Sequence, residues 1–111
     1  MMRHIVLVRW MPGATPSEKE AVQQAISALP SQVPEIRSMQ CGADVGGTPN
    51  SCDFAAVMDF DDRDAFRRYL QSAAHKAYVE GPGKIAVASL AVVQHLWDQA
   101  EHKPPMERAV Q

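Results

Sequence analysis

The sequence predicts an α+β fold with the element order β-α-β-β-α-β, a four-stranded antiparallel sheet with both helices on one side. Branched apolar runs open and close the domain, and two segments carry apolar residues at helical spacing. Between them a run dense in turn formers separates two extended stretches. The 111 residues are 46% apolar and 22% charged, which suits one domain with a modest core.

The first strand is Arg3 to Trp10, β-branched and apolar at nearly every position. Met11-Pro12-Gly13 ends it. Thr15-Pro16-Ser17-Glu18 starts a helix, with Thr15 as N-cap, Pro16 at the first helical position and Glu18 closing a capping box. Ala21, Val22, Ala25, Ile26 and Leu29 form its apolar stripe, and Pro30 and Pro34 predict its end with only a turn between them. Ile36 to Val45 is extended, Asp44 to Asp53 is a loop, and Phe54 to Phe60 is the third strand. Asp61 and Asp62 cap a helix carrying Ala65, Phe66, Tyr69 and Leu70 on one face. A second helical piece, Ala73 to Val79, runs to Gly81-Pro82-Gly83, and Ala88 to Trp97 is the last strand. Residues 1–98 therefore form the domain, and 99–111 read as a flexible C-terminal tail.

This order is the split βαβ arrangement of ferredoxin-like folds. Its strands are apolar on both sides, with Ile5 and Leu7 opposing His4, Val6 and Val8. Helices cover one face only, so the expectation is a homodimer in which two sheets pack as an α/β barrel.

With 11 basic and 13 acidic residues the net charge is -2, which gives no basic footprint for nucleic acid. The apolar runs are too short for a bilayer helix and no signal-peptide pattern opens the chain, so a cytoplasmic protein is expected, with neither nucleic acid nor membrane as partner. Cys41 and Cys52 are expected to stay unbridged, because hairpin register pairs Cys52 near Asp44 and leaves Cys41 further along. No Cys-x-x-Cys, His-x-x-x-His or phosphate-loop spacing is present, so neither a metal nor another cofactor is implied. Asp59, Asp61, Asp62 and Asp64 read as a helix N-terminus, with a divalent cation as the alternative.

His4-Ile5-Val6-Leu7, Pro12-Gly13, Ser17-Glu18, Leu29-Pro30, Pro34-Glu35-Ile36-Arg37-Ser38 and the segment from Tyr69 to His75 share an ordered spacing across residues 2–98. Together they resemble the stress-responsive dimeric α/β barrel family, Dabb. The resemblance implies a small homodimeric barrel whose members mostly lack an assigned role. Some members are cofactor-free polyketide cyclases that use a histidine and a tyrosine in a pocket between sheet and helices. His4, Tyr69 and His75 stand at matching positions. The family's Tyr-x-x-His-Pro-x-His reads here Tyr69-Leu70-Gln71-Ser72-Ala73-Ala74-His75, and the missing proline implies a freer turn.

The resemblance makes His75 the candidate general base, Tyr69 the candidate acid and His4 a residue that orients His75 or holds a carbonyl. Packing accounts for the same residues if Tyr69 completes the stripe with Phe66 and the histidines tie the helix junction to the first strand. The expected function is the binding of a small apolar or β-keto molecule. The alternative is an aldol-type cyclase. The small residues Ala21, Ala25, Ala55 and Ala65 favour a cavity, with close helix packing as the equal alternative.

Overall fold

The computed structural model describes residues 1–98. The expected tail, 99–111, lies outside them. Strand β1 (Met2–Trp10) is central and pairs antiparallel with β3 (Phe54–Phe60) on one side and β4 (Val87–Leu96) on the other. Strand β2 (Ser38–Ala43) adds to the outer edge of β3, giving the order β2-β3-β1-β4. No helix among the described residues is long and apolar enough to cross a membrane.

Helix α1 (Pro16–Gln32) begins as the sequence predicts. Thr15 Oγ1 accepts the Glu18 N–H at 3.1 Å, and the Glu18 carboxylate accepts the Thr15 N–H at 2.9 Å. The helix runs two residues past Pro30, contrary to the expected stop. Pro30 lies in the last turn, where its missing N–H costs one intrahelical bond, and the Val33 N–H still closes the end on the Leu29 carbonyl. Val22, Ile26 and Leu29 are buried, while Ala21 is exposed.

The second strand starts later than the sequence suggests. Ile36 folds back instead, its N–H on the Val33 carbonyl and its side chain in the core. In the β2–β3 hairpin Asp44 faces Asp53, Cys41 faces Ala56, and both cysteines are free thiols. Gly46 and Gly47, at φ 85° and 115°, supply the left-handed backbone of the loop.

Asp62 caps α2 (Arg63–Gln71), its carboxylate accepting the Ala65 N–H at 2.8 Å. Helix α3 (Ala73–Tyr78) follows, then a wide turn over Val79–Gly83. Gly81-Pro82-Gly83 does not stop the helical path as expected. Only Gly81 leaves the helical region, at φ -107° and ψ -107°, and one further turn, α4 (Lys84–Ala86), leads into β4. A Cβ on Gly83 would lie 3.0 Å from the Tyr78 carbonyl oxygen and 3.3 Å from its ring, so glycine lets this turn press on Tyr78.

The helices cover the sheet face that carries Met2, Val8, Phe54, Ala56, Met58 and Phe60. On the opposite face, strand alternation lines up Ile5 with Val57 and Val93, and Leu7 with Ala55 and Ala91. No element covers these apolar rows among the described residues, and Leu7 and Val93 are 38% and 51% exposed.

The acidic residues do not act as one cluster. Asp59 belongs to β3, Asp61 pairs with Arg37, Asp62 caps α2 and Asp64 pairs with Arg67. Each carboxylate therefore has its own partner. Asp59 is buried on the uncovered face, where Arg3 grips it twice at 2.8 and 3.0 Å. Ser38 Oγ and the Trp97 indole N–H also donate to it, at 2.9 and 3.2 Å.

Candidate functional site

Strand alternation turns His4 toward the helices, where it is 7% exposed. Register sets it beside Gln94 on β4, and its Nδ1 meets Gln94 Oε1 at 2.7 Å. With the amide oxygen facing the ring, Nδ1 carries the proton and Nε2 keeps its lone pair. Burial lowers the His4 pKa below the ordinary imidazole value, the Gln94 bond opposes this, and the charge of a protonated His75 adds to the lowering. The Phe66 ring lies 4.8 Å from the imidazole and the Tyr69 ring 6.2 Å.

Tyr69 follows Ala65 by one helical turn, and both are buried against the sheet. Its phenol is pushed well above the ordinary tyrosine value, by burial first and then by nearby Tyr78. The Tyr69 ring meets His75 edge to face at 4.8 Å. The turn between them is not freed by its missing proline. Ser72 ends α2 and caps α3, donating its hydroxyl to the Tyr69 carbonyl at 2.7 Å and accepting the His75 N–H at 3.1 Å. His75 Nδ1 lies 3.2 Å from the Leu70 carbonyl oxygen, which can only accept. Nδ1 is therefore protonated and Nε2 is the free base. Burial lowers the His75 pKa, with the Leu70 bond acting the other way.

His4, Tyr69 and His75 all line one cavity of about 330 Å³ between sheet and helices. They meet through ring contacts rather than hydrogen bonds to one another, so His4 orients Gln94 and not His75. Of the small residues expected to make room, none lines it. Ala21 is exposed, Ala25 lines a separate depression, Ala55 faces the other side of the sheet and Ala65 fills the core; Ala56 does line the cavity.

Two polar residues with no expected site role line the cavity: Tyr78, which the sequence marks as a packing or interface residue, and Gln94. Tyr78 stands three residues after His75, so helical spacing on α3 could have marked it. Its phenol too is raised by burial. Gln94 is a polar residue within an apolar strand, but only the β1–β4 register sets it against His4. Met58 and Trp97 also read from sequence as packing or interface residues; Met58 lines the cavity and Trp97 covers Arg3, whose guanidinium lies 4.5 Å from the indole centre. His95 projects from the opposite face, with its Nδ1 near the Leu96 carbonyl.

A dimeric ferredoxin-like protein of unknown function from Thermobifida fusca is 36% identical, with a TM-score of 0.77 over 86% of this chain and 90% of that one. An uncharacterised Streptomyces coelicolor protein is 35% identical over 81 residues, 71% of this chain and 84% of the relative. The hydroxynitrile lyase of Passiflora edulis shares the fold at 18% identity, with a TM-score of 0.76 over 93% of this chain and 96% of the lyase. The model of the Stress Responsive A/B Barrel Domain matches residues 2–94, from the first strand to the cavity residue Gln94. The chain that builds this cavity thus belongs to the stress-responsive A/B barrel family, Dabb.

Proposed function

We propose that this protein is a cytoplasmic homodimeric barrel that holds a small apolar or β-keto molecule between sheet and helices. The cavity itself carries the reading: nine of its fourteen lining residues are apolar, and the polar remainder are His4, Tyr69, His75, Tyr78 and Gln94. Apolar walls with a few placed polar groups are the usual build of a small-molecule site. The uncovered rows around Ile5, Leu7 and Val57 suit a second copy, and a dimeric relative at 36% identity supports that partner. Free Cys41 and Cys52 are in keeping with a reducing compartment.

Methyl NMR tests the binding. Met58 lines the cavity and is buried, whereas Met11 is exposed at the end of the first strand. Titration with acetophenone is expected to shift the Met58 methyl and the His75 ring signals and leave Met11 unmoved. Unmoved Met58 and His75 signals at saturating probe would refute the reading.

A second reading, a cofactor-free cyclase-type enzyme, is favoured by one observation. The His75 Nδ1 bond to Leu70 leaves Nε2 as the free base of a ring that lines the cavity beside Tyr69. Neutral His75 would take a proton from the carbon between two carbonyls, and the Tyr69 phenol would donate to the oxygen that gains charge. His4 Nε2 would accept from a substrate hydroxyl. The Passiflora lyase is an enzyme on the same fold, although its 18% identity carries no residue across. Deuterium exchange at the central carbon of ethyl acetoacetate tests this reading. Exchange should exceed the buffer rate, vanish in His75→Ala and fall in Tyr69→Phe, with the melting temperature of each variant as fold control. Equal exchange by His75→Ala would end it.

A further inference from the structure

The fourteen residues lining the cavity include no lysine, arginine, aspartate or glutamate. Its hydrogen-bonding capacity comes from two phenols and two imidazoles, supplemented by Gln94, which is engaged with His4. Both imidazoles commit Nδ1 to a neighbouring oxygen, so each offers the cavity an acceptor, Nε2. Both phenols offer a donor. Among the described residues nothing hydrogen-bonds either hydroxyl, and no sealed polar atom is left without a partner, so both hydroxyls keep some exposure; both tyrosines line this cavity, and Tyr78 also borders the depression beside Ala25. The phenols are also close enough for Tyr78 to oppose ionisation of Tyr69.

An anion entering this space would lose its hydration without meeting a cation. A ligand with one hydroxyl and one carbonyl oxygen would instead donate to an imidazole and accept from a phenol. We infer that the cavity, on the binding reading above, selects an uncharged hydroxyl-bearing carbonyl compound, a phenol or enol, over a carboxylate of the same shape, with Tyr78 supplying one of the hydrogen bonds. The ligand's hydroxyl oxygen can accept as well as donate, so a two-oxygen ligand has an acceptor for each phenol, which separates Tyr78 from a residue that merely closes the wall. Gly83 allows the turn after α3 to press on the Tyr78 ring, so the hydroxyl is held by packing rather than by a bond of its own.

Three probes of similar size test this on the full chain at about pH 7.5, where both imidazoles are neutral. They are 4-hydroxyacetophenone, 4-hydroxybenzoate and 4-ethyltoluene, with affinity read from the Met58 methyl shift. We expect 4-hydroxyacetophenone to bind about tenfold more tightly than 4-hydroxybenzoate. Tyr78→Phe should weaken 4-hydroxyacetophenone roughly three- to tenfold, as loss of one hydrogen bond does, and leave 4-ethyltoluene unchanged. Equal or tighter binding of 4-hydroxybenzoate overturns the inference, a comparison that needs no variant. So does unchanged 4-hydroxyacetophenone binding by a Tyr78→Phe protein that melts like the parent. If 4-ethyltoluene binds and the hydroxyl adds nothing, this inference alone fails. If no probe binds, the cavity reading fails with it.

Discussion

Ser72 fixes where His75 stands: its Oγ accepts the His75 backbone N–H at 3.1 Å while donating to the Tyr69 carbonyl at 2.7 Å. One side chain thus joins the end of α2 to the start of α3 and sets the angle at which the Tyr69 and His75 rings meet.

Ser72→Ala should cost about 1 kcal/mol, the usual loss of an N-cap, and broaden the His75 ring signals. Ala73→Pro should act the other way. Ala73 is the first residue of α3, and Ser72, at φ -69° and ψ 152°, already holds the extended backbone that precedes proline. The expected gain is about 0.4–1 kcal/mol, read from urea unfolding midpoints. A destabilised Ala73→Pro protein would contradict this account of the turn.

Acid should unfold the protein in two stages. Burial lowers His4 and His75 below 6.5 in the folded chain, so the unfolded chain takes up protons first as pH falls. Stability present above pH 6.5 is then lost as pH drops through the lowered folded values. Asp59 is held below its ordinary 3.8, mainly by the Arg3 hydrogen bond, so its contribution persists above that value and is lost only in stronger acid. Melting temperatures from about pH 8 to 2.5 should show both declines, and His75→Gln should shallow the first alone. A flat profile between about pH 7 and 5 would count against neutral buried imidazoles.

Asp59→Ala removes the acceptor for four hydrogen bonds from Arg3, Ser38 and Trp97. The expected loss is about 2–3 kcal/mol, less than for a sealed ion pair because Arg3 stays partly exposed. A double-mutant cycle with Arg3→Ala should give a coupling of about 1 kcal/mol or more. Additive single losses would show that Asp59 acts through Ser38 and Trp97 instead.

Val93→Glu sets a charge among the apolar rows of the uncovered sheet face, opposite Ile5. Sedimentation should give twice the chain mass for the parent protein and the single chain mass for the variant, with far-UV circular dichroism unchanged. Loss of dimers from Glu20→Lys, on the exposed side of α1, would move the interface elsewhere.

The elements were legible because local chemistry decides them. Thr15, Pro16 and Glu18 close a capping box within one turn, and β-branched residues from Ile5 to Val8 suit a strand in any setting. Where expectation failed, a local breaker met a context that tolerated it. Pro30 sat in a last turn that needs few bonds, and Gly81 kinked the path without ending it. The absence of proline before Ala74 suggested a loose turn, but a serine hydroxyl can reach both helix ends and perform the same task.

By itself the sequence determined the order and kind of the elements and the apolar character of both sheet faces, and it singled out His4, Tyr69 and His75 as candidates. Tertiary structure decided what those residues touch. Gln94 reaches His4 through the pairing of strands ninety residues apart, Asp59 leaves the acidic run to bind Arg3, and Tyr78 joins Tyr69 at the cavity. Caps and strand propensities act over a few residues of chain. Imidazole tautomers, buried pKa values and the cavity depend instead on groups brought together only when the sheet and helices close.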